Sequence, residues 1–215
     1  FVARGEDPAK DQSYVVHMLP QRELARTLFP IGHMTKAQVR EKATALGLRT
    51  AAKPDSQDVC FITDGGGRVA FLGSRIPFRA ARVVDAVDGR ELGEADALEM
   101  VTLGQRRGIG LVGGGPKRYV VDIDHASATV SVGDESLLLC DSIAVHNIVW
   151  AHEPVDGQVT VQCSAHGTAQ VGDLARGNDA VVITWDSPQR RVAPGQSVVF
   201  YDKSNTYVLG GGIAS

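Results

Sequence analysis

Past the run Gly65-Gly-Gly the sequence stops reading as helix and begins reading as strand, and this change constrains the fold more than any other feature. Short apolar segments then recur with turn residues between them. Arg82-Val-Val-Asp-Ala-Val precedes the turn signal Asp88-Gly89, and Tyr119-Val-Val-Asp-Ile-Asp is followed closely by Ala128-Thr-Val-Ser-Val, a pairing that predicts a hairpin. From about Ile143 the strands come faster: Asn147 to Ala151, Gln158 to Cys163, Ala180 to Trp185, Gln196 to Tyr201 and Tyr207 to Leu209, separated by turns such as Asp156-Gly157 and Pro194-Gly195. Several short strands at this spacing predict a small barrel or sandwich.

Upstream of the glycines the grammar is helical. Pro20 suits a first helical turn, and Thr35 is a good N-cap for a helix over Lys36 to Leu46. Val39, Ala43 and Leu46 form one apolar stripe, and Gly47 fits the C′ stop. A polar loop, Pro54-Asp-Ser-Gln-Asp, then leads into Val59-Cys-Phe-Ile, which reads as a short strand.

Charge and cysteine usage narrow the function. The formal net charge of −3 over 215 residues excludes a polycation, so any nucleic-acid contact must come from local basic patches or from a part outside this sequence. Cys60, Cys140 and Cys163 match no zinc spacing, and three is a poor count for a disulfide framework, which points to a reducing, cytoplasmic setting. No apolar run approaches the roughly 20 residues a membrane helix requires, and no signal peptide is visible. The six histidines show no ligand spacing, so no metal site is expected. The first residue, Phe1, implies a start inside a longer protein or after processing.

Cys60 is the residue most open to chemistry. A thiol must lose its proton to act as a nucleophile or to accept sulfur, and the upstream cations Arg49 and Lys53 favour that loss. The alternative is a small buried hydrophobe in a strand, the commonest use of free cysteine.

The wider pattern bears on this choice. Lys10-Asp-Gln-Ser-Tyr14, Leu28-Phe-Pro-x-Gly32, Thr35-Lys, Gly47-Leu48, Asp55-Ser56 and Val59-Cys-Phe-Ile62 occur in that order. They are followed by Thr102-Leu-Gly-Gln-Arg-Arg-Gly-Ile-Gly110, Ala193-Pro-Gly-Gln-Ser-Val-Val-Phe-Tyr201 and Leu209-Gly-Gly-Gly-Ile213. This series resembles the tRNA-specific 2-thiouridylase family over nearly the whole chain. The resemblance implies an α+β fragment. Residues 1–64 would be the helical tail of an α/β adenine-nucleotide alpha-hydrolase-like (PP-loop) catalytic domain, 65–142 a small, mainly β central domain, and 143–215 a C-terminal β-barrel that binds tRNA.

It also implies a reaction. Such enzymes use ATP with Mg²⁺ to adenylate the C2 oxygen of the wobble uridine, and a cysteine persulfide then delivers sulfur as AMP leaves. Cys60 matches the persulfide-bearing position. The family's second, upstream cysteine, which pairs with the first as a disulfide, and its glycine-rich ATP loop have no match in this sequence. The fragment alone is therefore expected to be inactive. Cys140 and Cys163 match no family motif and are expected to be structural. Implied partners are tRNA, with Lys, Glu and Gln acceptors, and a cysteine desulfurase or sulfur-relay protein.

For contact with tRNA the resemblance points to Lys10, Asp11, Gln12 and Gln196, and residue chemistry adds Arg106 and Arg107. A lysine can meet phosphate and a glutamine amide can both donate to and accept from a base edge. The competing reading of Lys10 to Gln12 is a solvated cap in which Asp11 or Ser13 starts a helix. Arg106 and Arg107 lie between glycines, where a phosphate contact and a plain glycine turn fit equally well; for Gln196 the competing reading is a turn residue opening a strand. Where many relatives carry an arginine-tyrosine pair that touches RNA, this sequence has Ser164 and Ala165, so that contact is absent or replaced, with His166 the nearest substitute. Two rivals remain: a non-catalytic RNA-binding β-barrel module, and a thiol carrier using Cys60 alone.

Overall fold

The computed structural model describes residues 1–54, 67–111 and 115–215. The expected strand at Val59 to Ile62 lies outside the described residues. The backbone forms two compact units, Phe1–Pro54 together with Cys140–Ser215, and Asp55–Leu139.

The N-terminal segment of the first unit contains β1 (Val2–Ala3), a 3-10 turn at Ser13–Val16, α1 (Gln21–Leu24) and α2 (Lys36–Ala45). Thr35 caps α2 as expected. Its hydroxyl accepts from the Gln38 amide at 3.4 Å, and the Gln38 side chain accepts from the Thr35 amide at 2.8 Å, a reciprocal capping box. Gly47 ends the helix with φ +66°. The stripe of Val39, Ala43 and Leu46 is only partly covered among the described residues: Val39 and Ala43 are half-buried, no residue of α2 is buried, and Leu46 is 67% exposed. Near Pro20 the helix is a single turn with Pro20 as its cap, shorter than the sequence pattern suggests. Leu24 is the one residue of this turn that packs against the barrel, and a single apolar contact does not sustain a longer helix.

The second unit contains α3 (Gly67–Gly73) and four strands, β2 (Ala81–Asp85), β3 (Glu91–Ala95), β4 (Tyr119–Asp124) and β5 (Thr129–Gly133). The sheet order is β3-β2-β5-β4. Asp88-Gly89 turns the chain between β2 and β3 with Gly89 at φ +71°, and β4 pairs antiparallel with β5 as the expected hairpin. β2 runs parallel to β5. Val83, Val120, Val130 and Val132 are fully buried between the strands and Leu98.

The remaining strands are β6 (Leu139–Trp150), β7 (Gly157–Gln162), β8 (Gln170–Arg176), β9 (Val181–Arg190), β10 (Ser197–Tyr201) and β11 (Tyr207–Ala214). They are ordered β11-β10-β7-β8-β9-β6, and β6 pairs back onto β11, so the six close into a barrel. Closure removes the unpaired edges that an open sheet would expose. Alternation along β10 explains why the run Ser-Val-Val-Phe-Tyr is apolar on both faces. Val198 and Phe200 point into the barrel core, whereas Val199 and Tyr201 face outward and are covered by Val2, Tyr14, Val16 and Leu24. Burying Phe200 and Tyr201 stabilises the unit by about 1.5–3 kcal/mol each. β1 continues this cover, pairing Val2 with Val208 and Ala3 with Tyr207 on β11. Gly211 gives His17 its seat, since a Cβ there would stand 2.6 Å from the imidazole Cδ2.

No helix among the described residues is long and apolar enough to cross a membrane.

Candidate nucleic-acid interface

The loop over residues 5–12 is built on two aspartates. Asp7 accepts from the Ala9 amide at 3.1 Å and, across the loop, from the Lys36 amide at the start of α2 at 3.0 Å. Asp11 is more heavily used. One carboxylate oxygen accepts from the amides of Gly5 at 2.8 Å and Ser13 at 3.0 Å, and the other from Arg4 at 2.9 Å and the Ser13 hydroxyl at 2.7 Å. Burial alone would raise the Asp11 pKa. The hydrogen bonds from Gly5, Ser13 and Arg4 outweigh it and hold the carboxylate below its ordinary range. Asp11 thus faces inward as a tether, while Lys10 and Gln12 on either side of it are exposed. The Gln12 side-chain amide has no partner among the described residues and is available to a ligand.

Further bonds tie this loop to the barrel. The Ser13 hydroxyl lies 3.1 Å from the Tyr201 hydroxyl, and the Tyr14 hydroxyl donates to the Ser197 carbonyl at 2.7 Å. Ser197 follows Gln196, which is exposed beyond the Pro194-Gly195 turn, where Gly195 has φ +87°. Arg4 donates to Gln162 at the end of β7 at 2.9 Å, and the Gln162 amide donates in turn to the carbonyls of Ser164 at 2.9 Å and Ala165 at 3.3 Å. The structure therefore links, within one unit, the Lys10–Gln12 loop, the turn bearing His166 and the start of β10. Arg4, Gln162 and Asn205 are the residues that sequence reasoning missed. Their partners lie 158 and 201 positions away from Arg4, and no local pattern announces them.

In the second unit, Arg106 and Arg107 are exposed, and neither side chain has an ion pair among the described residues. The loop beneath them is tightly fixed. Gln105 donates to the Arg107 carbonyl at 2.8 Å, Ile109 is buried, and Gly108 and Gly110 take φ +67° and +72°. Gly93 and Leu111 form an isolated bridge beside it. The glycines are thus a structural turn that also presents two cations.

Cys60 lies outside the described residues. Cys140 and Cys163 are free thiols. Burial, with a contribution from the neighbouring Cys140, pushes the Cys163 pKa up to about 12, so it is a thiol and not a thiolate at neutral pH. Iodoacetamide should label Cys163 slowly in the native protein and readily in urea; equal labelling rates in both would show that the thiol is not shielded. Among the described residues no cluster of His, Cys, Asp and Glu forms a metal-binding group.

Comparison with known proteins follows the same division of the chain. Residues 1–64 match the tRNA methyl transferase HUP domain, 69–134 the tRNA methyl transferase PRC-barrel domain, and 140–214 the aminomethyltransferase beta-barrel domain. A tRNA-specific 2-thiouridylase MnmA of Corynebacterium glutamicum (strain R) is 38% identical over 221 residues, covering 99% of this chain and 60% of the relative. Relatives of the same name from Rhodococcus jostii and Chloroflexus aggregans are 40% identical over 220 residues and 42% over 218, with 60% and 58% of their lengths covered. The chain thus spans less than two thirds of these proteins, and carries all three matched domains in order: it belongs to the tRNA-specific 2-thiouridylase family.

Proposed function

We propose that this chain forms part of an enzyme that moves sulfur from a persulfide on Cys60 to C2 of the wobble uridine of tRNA, and that its barrel unit holds the RNA. The observation that carries the RNA half is the inward use of Asp11. Its carboxylate is consumed by Gly5, Ser13 and Arg4, which fixes the loop from beneath and leaves Lys10 and Gln12 outward. Lys10 meets a phosphate; Gln12 reads the edge of an unstacked base, the usual mode of sequence recognition in RNA. Gln196, Arg106 and Arg107 add contacts, the arginines as forked phosphate ligands.

The family descriptions and the relatives differ in the group they name, methyl or aminomethyl against sulfur. Cys60 favours sulfur. ATP with Mg²⁺ would supply activation of the uridine C2 oxygen as a leaving group, and no segment of these 215 residues matches the family's glycine-rich ATP loop, so its site belongs to the remainder of the catalytic domain, of which residues 1–64 are the tail. The terminal persulfide sulfur forms the new bond to C2, AMP departs with the oxygen, and a second thiol outside this chain cleaves the sulfur–sulfur bond and ends as a disulfide with Cys60. Persulfide chemistry of this kind belongs in a reducing compartment such as the cytoplasm, with a cysteine desulfurase or relay protein as the sulfur source.

The test is binding and turnover by the 215-residue chain. It should bind tRNA with a Kd that weakens steeply with salt, as phosphate contacts release counterions. Lys10→Ala should lower the slope of log K against log salt by about 1. It should form no 2-thiouridine when given ATP and a sulfur source. A flat salt response would remove the RNA reading, and thiouridine formation by the chain alone would show that the catalytic apparatus is complete within it.

A further inference from the structure

Resting on the tRNA reading above, we infer that Arg4 is a positioning residue for RNA: it clamps the loop carrying Lys10 and Gln12 and, through Gln162, the Ser164–Gly167 turn into one preorganised surface. The guanidinium is largely turned inward, its side chain 23% exposed. Nη1 donates to Asp11 at 2.9 Å, and Nη2 to Gln162 at 2.9 Å and to the Asn205 side chain at 2.7 Å. Nε donates to the Asn205 side-chain oxygen at 3.1 Å and to its carbonyl at 3.0 Å. The face of the group rests on the Tyr201 ring, 3.7 Å from the centroid. Four of its five N–H groups are engaged within the protein, so the role assigned to Arg4 is to hold these segments.

What it holds is specific. Asn205 sits at φ +57° in the β10–β11 turn, where the Asp202 carboxylate accepts from the amides of Thr206 at 2.7 Å and Tyr207 at 2.8 Å. That turn is a fixed anchor. On the other side Gln162 is 5% exposed and uses both ends of its amide, accepting from Arg4 and donating to Ser164 and Ala165. One planar cation therefore joins the barrel, the Lys10–Gln12 loop and the His166 turn. A lysine cannot replace it, because an ammonium has neither the fork nor the flat face. A loop already ordered before binding spares the complex the entropy of ordering it.

The experiment measures tRNA binding by the full 215-residue chain as wild type, Gln12→Ala, Arg4→Ala and the double variant, with amide hydrogen exchange on each. Arg4→Ala should weaken binding about tenfold, the scale of loop-ordering costs. The double variant should be little weaker than the poorer single one, because the arginine acts through the loop that carries Gln12. Exchange should rise at the amides of Gly5 and Ser13, which donate to Asp11, while those of Val198–Tyr201 stay protected. Additive losses, or loss of protection in the barrel strands, would make Arg4 a general stabiliser and overturn the inference. Gln12→Ala with wild-type affinity would remove the tRNA reading itself and this inference with it. If Gln12→Ala weakens binding and Arg4→Ala does not, the reading stands and the inference fails. A second variant guards against misfolding of Arg4→Ala. Gln162→Glu keeps an acceptor for Arg4 and replaces the donor to the Ser164 turn with a carboxylate oxygen that repels the Ser164 and Ala165 carbonyls. It should bind tRNA several-fold more weakly with the Gly5 and Ser13 amides still protected, and wild-type affinity would refute the role given to Gln162.

Discussion

Cys60→Ser, made in a protein that carries the rest of the catalytic domain, should abolish 2-thiouridine formation, a loss of about a thousandfold or more as expected when a covalent nucleophile is removed. A serine oxygen cannot carry a persulfide, so the loss should be one of chemistry and not of RNA affinity. The protein would be incubated with a cysteine desulfurase, cysteine and relay proteins, and the persulfide mapped by mass spectrometry. Sulfur should appear on Cys60 and on neither Cys140 nor Cys163. The half-buried Cys163, its pKa pushed up to about 12, offers almost no thiolate to receive it. tRNA affinity should be unchanged in the variant. Persulfide on another cysteine, or unchanged thiolation in Cys60→Ser, would return Cys60 to a packing role and leave an RNA-binding barrel as the better account of the chain.

Gly110→Ala should have the largest effect on the second unit. Gly110 has φ +72°, and a Cβ placed on it would stand 1.7 Å from the Glu94 carbonyl oxygen on β3. A left-handed alanine costs about 1–2 kcal/mol. Overpacking against backbone adds about 1–3 kcal/mol. The Gly93 side of the contact is equally closed, since a Cβ there would meet the Gly110 carbonyl oxygen at 2.5 Å. The loop must move to relieve the clash, and Arg106 and Arg107 move with it. Thermal unfolding should show a lower transition for the second unit, and tRNA binding should lose the part of its salt dependence that the two cations supply. An unchanged melting profile would show that the Gly110 turn is not required.

Sequence was most informative where a local rule acts alone. The Thr35 cap, the Gly47 stop, the Asp88-Gly89 turn and the β4–β5 hairpin each depend on neighbours within a few residues, and all are present. β8 went unread because its inward positions are Gly172 and Leu174, and the glycine erases the alternation that marks a strand. Gly172 is small for a reason seen only in the fold: a Cβ would lie 2.7 Å from Ile183. β3, Glu-Leu-Gly-Glu-Ala, was missed for the same lack of an apolar rhythm. In the candidate interface, motif positions singled out Lys10, Asp11 and Gln12 as a group. They did not separate the inward aspartate from its outward neighbours: Gly5 and Ser13 hold Asp11 locally, and Arg4, which completes its bonding, is itself placed by Gln162 and Asn205, brought together only by the closed barrel.

The pairing of Val2 with Val208 has a consequence for how the molecule comes into being. A chain made from its N-terminus presents residues 2–24 long before β10 and β11 exist to receive them. Contacts of such wide sequence separation form slowly, because loop-closure entropy must be met first. The apolar side chains of Val2, Tyr14, Val16 and Leu24 therefore lack their barrel partners until β10 and β11 have been made, and the N-terminal segment docks on the barrel only once its closing strand has emerged.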